Sequence, residues 1–331
     1  MALINELRVA VIGGGNMGKN HLRTYAGLEG VKVVGLADIN PKAESLAEQY
    51  DTAYFKDYIR MLDETKPDAV SIVVPTPLHH KIALEVLQRG INCLLEKPIA
   101  STVKEADEII EAAERAKVVL AIGHIERFNP MVQKLHSIIK KGEIGEVTSV
   151  IARRVGGFPE NEPNSNVIID LAVHDIDVIS YLLDRQPKGV YGHGSKTLHS
   201  REIDSAELLL DYGSASGFVQ ANWITPVKVR NLAVTGTKGY VEGNYITQEV
   251  TYYKHSMVPK NDGFKNFVVS LGEPEKHYHS EAPKEPLAIE LGAFLDRIRG
   301  NKTAEIVHPA TARDALEVVL LAVEGIQTRI E

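Results

Sequence analysis

This 331-residue sequence has one cysteine, Cys93, and one tryptophan, and only 6% of its residues are aromatic. A single cysteine excludes an intrachain disulfide and a cysteine-rich metal site, and it fits a reducing compartment such as the cytoplasm. No apolar run approaches the ~18 residues a membrane-spanning helix needs. The first residues carry no basic segment followed by a long apolar core, so no secretory signal is expected. Long basic runs are absent too, and the net charge is −7. Nucleic acid is therefore not an expected partner. An anionic substrate would need local cations rather than a global field. No internal repeat or low-complexity tract is evident. What remains is 44% hydrophobic and 24% charged, which is ordinary for a globular chain of one large or two average domains.

The first 123 residues alternate between short apolar runs and helical patterns. Strands are expected over 7–12, 31–38, 53–55, 69–74, 92–96 and 118–123. Helices are expected over 16–28, 40–50, 58–64, 77–89 and 102–116, with Asn40 as a cap and Pro41 in the first turn. Alternation at this spacing predicts right-handed crossovers and a doubly wound parallel sheet, with strands apolar throughout because both faces are covered. After Gly123 the texture changes. Helices are expected over 130–141, 167–183, 285–299 and 309–330. Between them lie strand-like runs at 188–196, 206–211, 217–223, 229–235, 238–243 and 249–254, separated by tight turns. Consecutive strands of this kind predict an α+β domain with a large, open, mostly antiparallel sheet. The polar, proline-containing stretch 259–286 reads as a long flexible loop. The expected division is 1–123 and 124–331, with the last helices free to pack back on the first domain.

Gly13-x-Gly15-x-x-Gly18 lies between a strand and a helix, the context in which a dinucleotide fingerprint works. Gly13 allows the tight turn, Gly15 lets a pyrophosphate approach the backbone, and Gly18 lets helix and strand pack closely. Asn16 and Met17 begin the helix whose N-terminus meets the phosphate charge. Asp38 ends the second strand about 20 residues on, where a carboxylate accepts hydrogen bonds from the ribose hydroxyls and repels a 2′-phosphate. NAD is preferred over NADP.

Other residues follow strand ends at the same edge of the predicted sheet, where ligands bind in doubly wound folds. Pro75, Thr76 and His79 form a loop facing the nicotinamide side, or a proline-stiffened turn with His79 as helix entry. Glu96-Lys97-Pro98 ends the next strand. A lysine near a cofactor can donate to a substrate oxygen; alone, it reads equally as a solvated strand-end lysine. Pro98 restricts Lys97 to extended backbone and permits a cis bond. Asp170, His174 and Asp177 stand at i, i+4 and i+7 in an otherwise apolar helix, so they share one face. That face is a solvent stripe or an acid/base pair. A metal site is not expected: His79-His80 are adjacent, and His255, His277 and His279 have no fixed partner.

Together these motifs resemble the Gfo/Idh/MocA oxidoreductases. The resemblance rests on Gly13-x-Gly15-x-x-Gly18, Asp38, Pro75-Thr76-x-x-His79, Glu96-Lys97-Pro98, Gly123-His124-x-x-Arg127-Phe128-x-Pro130 and Asp170-x-x-x-His174-Asp175. It covers nearly the whole chain. It implies a Rossmann domain followed by an open-faced α/β domain whose sheet often joins subunits, hence a homodimer or homotetramer. It also implies NAD held by Gly13, Gly15, Asn16, Met17, Gly18, Asp38, Pro75, Thr76, His79, Glu96 and Lys97, and catalysis by Lys97, Asp170 and His174. Val74 stands where the family often has Ser or Thr, so one side-chain hydrogen bond to the cofactor is lost. Residues 122–130 and 167–177 look like the UDP-N-acetylglucosamine 3-dehydrogenase group. That resemblance implies oxidation of a sugar-nucleotide ring hydroxyl at C3, with His124, Arg127, Arg153 and Arg154 on the substrate. The alternatives are an inositol or free-sugar dehydrogenase of the same family, and a non-catalytic NAD-sensing regulator. The presence of Lys97 with Asp170 and His174 argues against the last.

Overall fold

The computed structural model describes residues 6–159, 165–199, 201–254, 275–279 and 283–330. The chain divides into two compact units. One runs to Phe128 and takes in Glu285–Glu317; the other comprises Asn129–Lys284 and the residues from Val318 onward.

The first unit holds a six-stranded, wholly parallel sheet. Its strands are β1 (Leu7–Ile12), β2 (Val31–Ala37), β3 (Tyr54–Phe55), β4 (Ala69–Ile72), β5 (Asn92–Glu96) and β6 (Leu120–Gly123), in the order β3-β2-β1-β4-β5-β6. The order reverses direction at β1/β4, and such a switch point opens a crevice beyond the strand ends. Beyond their first residues, strands β1, β4 and β5 are mostly apolar and buried because helices cover both faces. The crossovers are α1 (Asn16–Ala26), α2 (Ala43–Gln49), α3 (Tyr58–Thr65), α4 (His79–Gln88) and α5 (Val103–Ala116). Side chains set two of their starts. Asp57 accepts the Ile59 N–H to cap α3, and Thr102 and Glu105 form a reciprocal capping box on α5. Helix α2 begins later than expected. The Asn40 N–H is taken by the Asp38 carboxylate, and Asn40 Oδ1 accepts the Lys42 N–H, so a turn precedes the helix at Ala43.

The second unit holds an eight-stranded sheet. Its strands are β7 (Val147–Val155), β8 (Gly189–Ser195), β9 (Ser205–Asp211), β10 (Ser216–Asn222), β11 (Val229–Gly236), β12 (Gly239–Asn244), β13 (Val250–Lys254) and β14 (Glu275–His279). Their order is β14-β13-β12-β11-β7-β10-β9-β8, antiparallel except for the β7–β10 pair. Helices α6 (Pro130–Lys140) and α7 (Val173–Leu183) cover one face, over Val150, Ala152, Leu208, Val219 and Leu232.

Two strands were absent from the sequence reading. The central strand β7 hides its alternation, because Ile151 faces out and Arg154 faces in. Strand β14 lies inside the stretch read as a flexible loop and pairs with β13 from Val250↔His279 to Lys254↔Glu275. Residues 255–274 and 280–282, with His255, lie outside the described residues. The other face of the sheet carries an exposed row. Registers align Tyr191, Leu209, Phe218 and Ile151 across β8, β9, β10 and β7. All four are more than a third exposed. Helix α8 (Pro286–Ile298) and the start of α9 (Pro309–Ile330) belong to the first unit, and the remainder of α9 to the second.

Candidate active site

The glycine turn follows β1. Gly13 has φ +107°, a conformation other residues rarely adopt, and a Cβ there would strike the Val73 carbonyl. A Cβ on Gly18 would collide with the Gly13 carbonyl, so this glycine lets α1 press against the turn. A Cβ on Gly15 would meet nothing, so packing within the fold does not require a glycine there. Helix α1 starts at Asn16 with no side-chain cap and no acidic residue in its first turn. Its free N–H groups and positive dipole end suit a pyrophosphate.

Asp38 is fixed from two sides. Oδ2 accepts the Gly14 N–H at 2.5 Å, and Oδ1 accepts the Asn40 N–H at 2.7 Å. A carboxylate has further lone pairs, so it remains able to accept from ribose hydroxyls. Beside it is a cavity of about 380 Å³ lined by Gly13, Gly15, Asp38, Ile39, Pro75 and Leu78. Ile39 is 82% exposed and Leu78 45% exposed. Two apolar side chains open to solvent next to Asp38 suit the faces of an adenine. Lys56, Tyr58 and Lys81 also line this cavity. The sequence reading missed these residues; the one signal was an isoleucine placed directly after the acidic end of β2.

Pro75 lines the cavity, and Thr76 begins a short 3₁₀ turn, Thr76–Leu78, that leads into α4. His79 does not reach the cavity as the fingerprint order suggested. It is 1% exposed, and its ring sits 2.8 Å from the Val74 carbonyl oxygen and 2.9 Å from that of Pro98. It ties the loop after β4 to the loop after β5. Burial pushes its ionisation below the ordinary histidine range, against the two carbonyls, which favour the imidazolium.

Glu96 ends β5, buried, and Lys97 follows half-buried, with a cis Lys97–Pro98 bond. Glu96 Oε1 meets His21 Nε2 at 3.2 Å, and Oε2 accepts the Lys97 N–H at 3.2 Å. Burial opposes ionisation of Glu96, but the His21 hydrogen bond and the Lys97 ammonium outweigh it and hold the carboxyl below its usual range. After β6, His124 is buried, and Arg127 is half-buried with Nη2 3.3 Å from Thr311 Oγ1.

In the second unit, Asn166 accepts the N–H groups of Ile168 and Ile169 and starts the helical segment. That segment opens with a π-helix, Ile168–Ala172, before α7. The step from Asp170 to His174 therefore crosses a π/α junction. Both are half-buried, whereas Asp177 is 1% exposed. His174 and Asp177 stand at i, i+3 within α7, and Asp170 lies in the wider π turn before it.

Consecutive residues of a strand point to opposite faces, and this separates Arg153 from Arg154. Arg153 is exposed, with Nε 2.7 Å from Gln220 Oε1. Arg154 is buried and forks onto Asp175 at 2.8 and 3.1 Å, over the ring of Tyr245. The pair cannot serve one diphosphate together. Among the described residues, no cluster of three or more His, Cys, Asp or Glu side chains is placed to hold a metal ion, and no helix is long and apolar enough to cross a membrane.

The oxidoreductase family with an NAD-binding Rossmann fold matches residues 7–124, and the GFO/IDH/MocA C-terminal domain matches residues 132–242. The chain belongs to the Gfo/Idh/MocA oxidoreductases. It is an NAD-dependent dehydrogenase, and the glycine turn, the bare start of α1 and Asp38 are the residues that fit NAD. Among its relatives is the UDP-N-acetylglucosamine 3-dehydrogenase of Acidithiobacillus ferrooxidans, 28% identical over 90% of each chain. Another is the NAD(+)-dependent scyllo-inositol 2-dehydrogenase of Bacillus subtilis, 27% identical over 96% of this chain and 93% of that one. A solved structure of the Acidithiobacillus enzyme shares the fold, with a TM-score of 0.86 at 24% identity over 98% of this chain and 99% of that one.

Proposed function

We propose that this Gfo/Idh/MocA dehydrogenase oxidises a ring hydroxyl of a sugar nucleotide, with C3 of UDP-N-acetylglucosamine as its substrate position. The observation that carries the reading is the likeness to the UDP-N-acetylglucosamine 3-dehydrogenase along nine-tenths of both chains. Lys97, Asp170 and His174 supply the chemistry. His174 takes the hydroxyl proton as the carbinol carbon loses its hydride. Asp170 orients His174 and stabilises the imidazolium. Lys97 donates a hydrogen bond to the oxygen that becomes the ketone. Bound NAD supplies the hydride acceptor. In this reading Arg127 and His124 bind the substrate, and Glu96, Pro75 and Thr76 support the cofactor.

A second reading is an inositol or free-sugar dehydrogenase. It is favoured by the Arg154–Asp175 fork and the outward turn of Arg153, which together leave fewer cations for a diphosphate. Its relative, the scyllo-inositol 2-dehydrogenase, also matches nearly the full chain.

The assembly we propose is a homodimer or homotetramer in the cytoplasm, joined through the exposed row on the second sheet. Four aligned apolar side chains on one face suit a second copy. The buried, unbridged Cys93 is compatible with a reducing compartment.

The deciding experiment offers NAD and, separately, UDP-N-acetylglucosamine, scyllo-inositol and glucose to the purified protein, and follows NADH absorbance. A 3-keto sugar nucleotide in the product mass spectrum supports the first reading. NADH formed with inositol and none with the sugar nucleotide establishes the second.

A further inference from the structure

A polar chain crosses the apolar interior of the first unit. His21 and Tyr25 lie one turn apart on α1, Ser71 on β4 and Glu96 at the end of β5; the first three are 0% exposed and Glu96 8%. Tyr25 OH is 2.8 Å from Ser71 Oγ, which is 3.1 Å from His21 Nδ1, and His21 Nε2 is 3.2 Å from Glu96 Oε1. One direction of donation satisfies every member. Tyr25 donates to Ser71, Ser71 to Nδ1, and the Nε2–H to Glu96. The other Glu96 oxygen accepts the backbone N–H of Lys97 at 3.2 Å. Room for this carboxylate comes from β6, where a Cβ on Gly123 would lie 2.9 Å from Glu96 Oε1.

Apolar residues would fill this space at no cost in buried polarity. The polar chain instead runs from the helix that begins at the glycine turn to the backbone of the residue read as catalytic. We propose that His21 is a positioning residue for Lys97. It holds the Glu96 carboxylate against the Lys97 backbone and so fixes where the lysine side chain leaves the strand and what charge stands beside it. This rests on the reading of Lys97 given above.

The charged and titratable groups around the carboxylate are few. Lys97 is adjacent and His21 is bonded. His79 on α4 lies within its field. Tyr25 is the next titratable group along α1, and it in turn feels Glu290 of α8 and Cys93 of β5. With His21 removed, burial is opposed only by Lys97 and its N–H, so Glu96 takes up a proton at higher pH. The lysine then loses its neighbouring negative charge.

The test compares His21→Ala, His21→Gln and Lys97→Ala in the full chain, on whichever substrate the wild type turns over. It reads the pH profile of kcat/KM, the NAD Kd from titration calorimetry, and the thermal midpoint. His21→Ala is expected to move the acid limb up by about one pH unit or more, with the NAD Kd changed less than about threefold. His21→Gln keeps an N–H aimed at Glu96 and is expected to bring the limb back. If His21→Ala does not fold, Ser71→Ala, which releases Nδ1, is expected to move the limb the same way by a smaller amount. An acid limb that stays at its wild-type pH in these variants overturns the proposal, as does a His21→Gln limb left as far displaced as that of His21→Ala. If Lys97→Ala turns over normally, the reading of Lys97 falls first. If Lys97→Ala is inactive while the limb stays put, only the role of His21 falls.

Discussion

The Arg154 guanidinium faces the Asp175 carboxylate as a two-point fork, at 2.8 and 3.1 Å, with Arg154 5% exposed and Asp175 0%. Tyr245 adds an O–H to the same carboxylate at 3.2 Å, and its own carbonyl accepts from Asn129. Removing one partner leaves a buried, uncompensated charge. Arg154→Ala is expected to lower stability by about 3–5 kcal/mol in urea unfolding. A paired replacement, Arg154→Met with Asp175→Leu, is expected to recover most of that loss. A stable Arg154→Ala that only raises the KM for a phosphorylated substrate would restore this arginine to substrate binding.

His79 gives stability a pH dependence of known sign. Its folded ionisation lies below the ordinary value of 6.5 because the ring is buried. Above that value its contribution is fully present. As pH falls, the unfolded chain takes up a proton the folded ring refuses, and stability is lost down through the folded value. The urea midpoint is expected to fall between about pH 7.5 and about pH 5.5, and to fall less in His79→Asn. An equal or steeper fall in the variant contradicts this.

The exposed row on the second sheet predicts an assembly. Phe218 stands in register between Leu209 and Ile151. Phe218→Asp sets a charge in the middle of an apolar patch and is expected to shift the sedimentation profile from oligomer toward monomer. A monomeric wild type, or an unaltered profile in the variant, removes the row from the interface.

Much of the first unit was legible because local chemistry and fold agree there. The glycine turn, Asp38, the capping box at Thr102 and the apolar strands all signal within a few residues of where they act. What was hidden depends on distant partners. The buried Arg154 and exposed Ile151 invert the pattern of β7, and only the Asp175 fork and the open sheet face explain them. His21 and Glu96 are 75 positions apart, and no periodicity pairs them. The inward turn of His79 follows from two backbone carbonyls that a motif does not show. The π segment that carries Asp170 follows from no periodicity in the sequence.

We propose that Asp38 separates NAD from NADP through charge and through the turn it braces. Asp38→Ala removes the acceptor for two backbone N–H groups and, on this reading, for the ribose. The NAD KM is expected to rise about tenfold or more, with relatively less discrimination against NADP. An unchanged ratio of kcat/KM for the two cofactors contradicts the assignment.

The central claim is that Lys97 acts on the oxygen of a hydroxyl being oxidised. Lys97→Ala, loaded with NAD and mixed with the substrate the wild type uses, tests it in a single turnover followed by NADH absorbance. NAD binding is expected to persist while hydride transfer slows by about 10²-fold or more. Transfer at a near wild-type rate with NAD bound would contradict it.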